Sequence, residues 1–337
     1  MSARRSAPCP PPPGGRGELP FDRSALVEHA RITIARGSKS FAAASCLFDR
    51  PTRERVWLLY AWCRACDDLA DAQDLGGRLG DQSGADLRLA QIRQLTDLAL
   101  AGLPTGNPSF DAFAVVVREC GITRAMADDV IAGFALDAAE WHPRSEADML
   151  QYCFHVAGAV GVMMAVVMGV APDDDDTLDR AADLGFAFQL ANIARDIGED
   201  DRGGRCYLPA EWLAEVHIPP GEQFRPYYRP ALTAVVGRLC ALAREYEASA
   251  RIGARQLGFR QRWAVLSAAG IYGAIARKVA AAGPHAWDRR TMTGKGEKLG
   301  HVLRAAWHAL SFVPSSVRRS GPHPHWSRRE LAARVRR

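Results

Sequence analysis

Val56-Trp57-Leu58-Leu59-Tyr60-Ala61-Trp62-Cys63-Arg64-Ala65-Cys66-Asp67-Asp68-Leu69-Ala70-Asp71 decides how this chain is read. At spacings of three and four, Val56, Leu59, Tyr60, Cys63, Asp67 and Asp71 share one face of a helix. That face begins apolar and ends in two carboxylates without turning aside, so the acids point inward. A second segment, residues 174–200, repeats the pattern through Leu178, Ala182, Gly185, Gln189, Asn192, Asp196 and Asp200. Like charges four apart on a helix repel by about 0.2–0.5 kcal/mol per pair, and more where water is excluded. Two inward pairs imply a compensating cation. Mg²⁺ favours one or two carboxylates together with substrate phosphate oxygens. The pairs therefore point to an enzyme that activates a diphosphate through Mg²⁺.

Outward from these segments the chain reads as helix. Helical patterns are expected near residues 23–35, 51–71, 85–101, 109–119, 123–140, 146–170, 174–200, 229–255, 260–282 and 296–311. Thr52 is the expected N-cap of the first acidic helix, and Gly203-Gly204 ends the second. No series of alternating strands is present. The expected fold class is all-α, a single-domain helical bundle around a central apolar cavity, with the acidic patches meeting at one end of it. Residues 1–20, with Pro10–Pro13 and Gly14-Gly15, form a leader expected to be disordered; 21–314 form the domain; 315–337 form a basic, flexible tail. A composition 48% hydrophobic supports a sizeable core.

Other classes fit poorly. The net charge of +5 is modest and unevenly spread, so nucleic acid is not an expected partner. The tail, with Arg318, Arg319, Arg328, Arg329, Arg334, Arg336 and Arg337 against Glu330, suits either solvent or anionic headgroups. No apolar secretory segment is visible, and eight scattered cysteines fit a reducing, cytoplasmic setting. Cys63 and Cys66 lie inside a helix pattern without a second pair, which disfavours zinc or redox use. Asp173–Asp176 follow Pro172 and read as a solvated helix start, and Asp128-Asp129 read similarly. The uncharged run Val156–Ala171 is shorter than a membrane span and reads as a buried helix beside the cavity. Its small residues either leave room for a long hydrocarbon or permit close helix packing. No dinucleotide loop or Walker loop occurs.

Several quoted stretches carry a family resemblance. Gly37-Ser38-Lys39-Ser40-Phe41, then Leu59-Tyr60-Ala61-Trp62-Cys63-Arg64 with Asp67, Asp68 and Asp71, resembles the squalene/phytoene synthase family. Gln189 through Asp200, Gly204 through Leu213, and Tyr152 through Gly161 are similar to further motifs of that family, and the resemblance spans about residues 25–312. It is strongest toward the bacterial members of carotenoid pathways.

The resemblance implies an isoprenoid synthase fold. It implies a prenyltransferase that condenses two geranylgeranyl diphosphates head to head, through a cyclopropyl diphosphate, to phytoene. It assigns Asp67, Asp71, Asp196 and Asp200 to Mg²⁺ (or Mn²⁺), with Asn192 assisting, and places Tyr60 and Arg64 among the catalytic groups. Ser38, Ser40, Phe41, Asp68, Tyr152, Gln189, Asn192, Arg205, Tyr207, Tyr272 and Arg290 are implied to bind substrate. No redox cofactor is expected. Transient contact with the inner membrane face and with downstream carotenoid enzymes is expected, because the product is a lipid. Three other readings compete: a squalene or dehydrosqualene synthase using farnesyl diphosphate, a terpene cyclase, and a non-enzymatic helical scaffold at a membrane surface.

Overall fold

A computed structural model of the chain describes residues 19–73, 84–139, 141–311 and 326–335. Every regular element among them is a helix. Within the span read as one all-α domain, the chain divides into two compact units: Met1–Ala139 with Val162–Asp175, and Glu140–Gly161 with Asp176–Arg337.

The first unit is built on α1 (Arg23–Gly37), α2 (Lys39–Ser45), α3 (Arg50–Ala70), α4 (Ala85–Leu100), α5 (Pro108–Cys120) and α6 (Arg124–Ala138). The apolar face of α3 is its axis: Val56, Leu58, Leu59 and Trp62 are fully buried. Trp62 stacks on Phe113 of α5 with ring centroids 4.1 Å apart, and its indole N–H donates to Thr96 of α4 at 3.3 Å. A buried indole thus keeps its hydrogen bond while burying its large apolar area. Glu119 of α5 binds Arg23 at 2.6 Å and Arg55 at 2.8 Å, tying α1 and α3 to α5. The N-cap of α3 is Asp49, not Thr52. The Asp49 carboxylate accepts from the Thr52 N–H at 3.0 Å, and the Thr52 hydroxyl, three positions on, also donates to it. Aspartate caps at least as well as threonine, and Pro51 is favoured in the first turn.

The second unit contains α7 (Glu146–Cys153), a π-helical turn (Phe154–Gly158), α9 (Asp175–Arg202), α10 (Ala210–Glu215), α11 (Arg229–Gly253), α12 (Phe259–Ala282), α13 (Lys295–Leu310) and α14 (Arg328–Val335); α8 (Ala159–Val167) follows the π turn directly. The small residues expected in the apolar run serve close packing here. A Cβ added to Gly161 would meet the Ala181 carbonyl oxygen at 2.5 Å, and one added to Gly185 would meet the Ala157 carbonyl oxygen at 2.4 Å. Helices Glu146–Val167 and Phe259–His285 are long and apolar enough to cross a membrane by length and composition, but they are 67% and 56% buried within the protein. Core packing accounts for that apolarity.

Part of the expected loose tail is ordered. Leu331 of α14 is fully buried, and Arg328 pairs with Asp179 of α9 at 2.9 Å. The leader through residue 18 and residues 312–325 lie outside the described residues.

Candidate active site

The first carboxylate set closes α3. Asp67 and Asp68 sit in its last turn, while Asp71 is the C-cap, with φ −88° and ψ 0°, so the helix ends one residue before that acid. A Schellman motif finishes the turn: the Gln73 N–H donates to the Asp68 carbonyl at 2.9 Å and the Ala72 N–H to that of Leu69 at 3.4 Å. Ala72 occupies the left-handed position with φ 50°, where glycine is usual. The Gln73 side chain donates to the Asp71 carboxylate at 3.1 Å.

Arg64 lies one turn before the acids and forks onto them, to Asp67 at 2.9 Å and Asp68 at 3.4 Å. Its Nε is buried and has no acceptor. Burial pushes the Asp67 carboxyl up to about 6, Asp71 and Asp68 push in the same direction, and Arg64 opposes them. The Tyr60 hydroxyl is likewise raised by burial. The Tyr60 ring lies 5.7 Å from that of Phe41, and a Cβ at Gly37 would strike its oxygen at 2.5 Å. Ser38 is the N-cap of α2, its Oγ accepting from the Phe41 N–H at 3.3 Å. Capping chemistry is therefore what that hydroxyl does here. Ser40 lies in α2, and its side chain falls outside the described residues.

The second set lines α9. Gln189, Asn192, Asp196 and Asp200 follow one another at turn spacing, all half-buried. Asp196 is held by two guanidiniums: its neighbour Arg195, whose Nε donates at 2.7 Å, and Arg290 at 3.1 Å. Arg290 also reaches Glu199 at 3.2 Å. Asp200 is less compensated. Burial pushes its carboxyl up to about 7, Asp196 and Glu199 add to this, and Arg205 and Arg195 oppose it.

Local sequence explains why Arg205 is there. Gly204, at φ 72°, lets the chain reverse past α9, and the Arg205 N–H donates to the Asp200 carbonyl at 2.9 Å. The reversal forms a small pocket lined by Ile193, Ile197, Asp200, Arg205, Tyr207 and Gln223, among others. Tyr207 stacks on Tyr152 at 4.8 Å, and Tyr152 on Trp141 at 5.9 Å. Tyr272 of α12 stacks on Phe188 of α9 at 4.0 Å.

Within each unit, then, the structure gathers most of the expected residues. The first unit joins Tyr60, Arg64, Asp67 and Asp68, with Phe41 beside Tyr60. The second joins Asp196 with Arg290, and Asp200 with Arg205 and Tyr207. The sequence reading gave no role to Arg195, Glu199, Trp141, Phe188 or Gln223. Arg195 and Glu199 were visible inside the acidic motif. The other three carry no local signal, since what places them is tertiary contact.

Comparison with known proteins identifies the family. The squalene/phytoene synthase family matches residues 34–297. The chain is 47% identical to a phytoene synthase of Pseudescherichia vulneris, over 87% of this chain and 94% of that one. It is 45% identical to a 15-cis-phytoene synthase of Pantoea ananas, over 90% and 97% of the respective chains. Its fold is similar to the crystal structure of a dehydrosqualene synthase in complex with ligand, with a TM-score of 0.74, 26% identity, and coverage of 86% of this chain and 98% of that one. With its all-α fold and paired carboxylates set on two helices, the chain belongs to the squalene/phytoene synthase family.

Proposed function

We propose that this protein is a prenyltransferase that condenses two molecules of geranylgeranyl diphosphate head to head, through a cyclopropyl diphosphate, into phytoene. The observation that carries the reading is the pair of incompletely compensated carboxylate sets on α3 and α9, in a chain whose relatives at 45–47% identity are phytoene synthases.

The donor set suits Mg²⁺. Among the described residues no three His, Cys, Asp or Glu side chains converge as a ready-made metal site. Carboxylates offered in pairs match an ion that takes one or two of them and completes its shell with water and phosphate oxygens. Raised carboxyls at Asp67 and Asp200 are what nearby cationic charge would relieve. Asp67 and Asp71 would hold the ion on α3, and Asp196 and Asp200, with Asn192, on α9. When bound, Mg²⁺ neutralises the charge that builds on a departing diphosphate.

The chain's own residues account for the remainder. Arg64, forked onto Asp67 and Asp68, brings guanidinium charge to the α3 acids, and Arg205 and Arg290 bring fixed positive charge to the α9 face. A tyrosine hydroxyl is protonated at neutral pH and burial raises Tyr60 further, so it serves as a donor. The Tyr152–Tyr207 and Phe188–Tyr272 stacks present aromatic faces, which stabilise cationic carbon without attacking it. Once the first diphosphate leaves, the second prenyl chain's double bond attacks the allylic cation, and loss of one proton from the resulting carbocation closes the cyclopropyl diphosphate. Loss of the second diphosphate, rearrangement and release of one proton complete the triene.

A product assay tests this. Purified protein with geranylgeranyl diphosphate and Mg²⁺, without reductant, is expected to yield phytoene, and EDTA to stop it. A C30 hydrocarbon from farnesyl diphosphate, with nothing from the C20 substrate, would transfer the assignment to a dehydrosqualene-type synthase.

A further inference from the structure

α13 is amphipathic in an inverted sense. Its small residues Ala305 and Ala309 are buried beside Leu266 of α12 and Ala254, while its largest apolar side chains face out. Leu299 is 59% exposed, Leu303 61%, Trp307 71% and Leu310 68%. At 100° per residue these four fall in one narrow stripe, opposite the two alanines, and about 16 Å long at 1.5 Å per residue. A core-facing helix buries its large apolar residues, so a continuous outward stripe of this kind marks an interaction surface.

Its flanks are basic. Lys295 and Arg304 border the stripe on α13, where the acid Glu297 is already bound by Lys278 at 2.6 Å. At the Leu310 end, where Arg262 donates to the Ala309 carbonyl at 3.3 Å, the start of α12 adds Phe259, 42% exposed, and the exposed Arg260. Basic flanks repel a second copy of the same face, and they repel the Arg-rich termini of this chain equally. Anionic lipid headgroups complement them, and leucine with tryptophan is the composition that enters the headgroup–acyl boundary.

We propose that the outward face of α13, centred on Leu303 and Trp307, docks the protein on an anionic bilayer surface. The segment leading into this helix starts at Arg290, bound to Asp196 and Glu199, and passes the exposed Met292. The docking itself stands on the surface; its purpose, exchange of lipid-tailed substrate and product, rests on the reaction proposed above.

The test is flotation of the full-length protein with phosphatidylcholine vesicles, with and without phosphatidylglycerol, alongside turnover in detergent. Wild type is expected to float with the anionic vesicles. Leu303→Ser/Trp307→Ser should lower the bound-to-free ratio about ten-fold or more, with melting temperature and detergent activity unchanged. Lys295→Glu/Arg304→Glu should lose the anionic preference, and Leu87→Ser, at a residue 77% exposed on α4, should have no effect. Wild type remaining unbound, or the double serine variant floating like wild type, overturns the proposal. So does a dimer in light scattering that Leu303→Ser/Trp307→Ser abolishes. Loss of detergent activity in wild type would instead count against the reaction and leave the flotation result standing.

Discussion

Replacing Gly185 with alanine sets two known effects against each other. A glycine-to-alanine change inside a helix adds about 1 kcal/mol of stability through backbone entropy. At Gly185 the new Cβ would lie 2.4 Å from the Ala157 oxygen, 2.5 Å from its carbonyl carbon and 2.6 Å from the Gly158 nitrogen. All three are backbone atoms, so no side chain can rotate away. Reaching ordinary contact at 3.4 Å requires α9 and the π turn to separate by about 1 Å. Overpacking of this kind costs about 1–3 kcal/mol or more, which exceeds the entropic gain. At roughly 2–4 °C per kcal/mol, Gly185→Ala is expected to melt several degrees below wild type. The control is Gly237→Ala in α11, where nothing lies within 4 Å of the added carbon, and it should melt a few degrees higher. Activity supplies a second readout. α9 carries Asp196 and Asp200, and misplacing a reacting group by about 1 Å can cost about 100-fold in rate. Phytoene formation by Gly185→Ala should fall at least ten-fold, while Gly237→Ala should match wild type. Calorimetry showing Gly185→Ala as stable as Gly237→Ala would refute the contact argument outright.

Asp71→Asn and Asp196→Asn should each lower turnover by at least a hundred-fold, the order typical of losing a group that stabilises transition-state charge, with folding preserved; near-normal rates in excess Mg²⁺ would remove these residues from metal binding. Ala72→Gly relieves the left-handed φ of 50° at the end of α3 and should stabilise by about 1 kcal/mol, read as a raised midpoint in urea. The raised carboxyls predict a pH effect whose sign is fixed. In EDTA the folded state keeps protons on Asp67 to about pH 6 and on Asp200 to about pH 7, where the unfolded chain has already released them. The folded state thus binds more protons in that window, and these groups lower stability as pH rises from about 4 to 7. Wild type should therefore lose melting temperature across that range more steeply than Asp67→Asn/Asp200→Asn, and parallel curves would contradict the assigned shifts. Mg²⁺ binding should release protons in the same window, measurable by titration in buffers of different ionisation heat.

Periodicity made most of this fold readable. The long helices fall within a few residues of the expected spans because apolar spacing and Gly or Pro punctuation are local signals. The α3 cap shows where local signals become ambiguous: Asp49 and Thr52 are both capping residues, three apart, and they bond to each other. The π turn at Phe154–Gly158 has no sequence mark of its own and lies where Gly185 allows the α9 backbone to come close. In the candidate site, the acids were legible because each pair continues the inward face of its own helix pattern, and Arg64 and Tyr60 stand within two turns before the first pair. The bond from Arg290 to Asp196 links residues 94 positions apart, and the Phe188–Tyr272 stack links residues 84 apart. Pairings of that range follow from helix packing, which no short window of sequence encodes.

α9 shows how the site depends on residues far from it. Near its start, Arg180 is almost wholly buried and donates to Ser249 of α11 at 3.0 Å; the Ser249 hydroxyl donates in turn to Asp183, and Gly253 leaves space for the Arg180 stem. Midway, Gly185 brings the backbone against Ala157. Near the end, the Trp287 indole donates to the Ala194 carbonyl at 2.9 Å, and Arg290 binds Asp196. Burying Arg180 and Asp183 is costly for stability, since desolvation offsets most of what an ion pair gains, and apolar side chains would fill the same space more cheaply. What the network adds is direction: hydrogen-bond geometry fixes the rotation of α9 about its axis, which apolar contacts leave softer. A rotation of 100° would move the carboxylates to the next residue's direction and turn the face that Asn192, Asp196 and Asp200 share away from its present direction. The buried charges at one end of the helix therefore set the aim of the acids at the other.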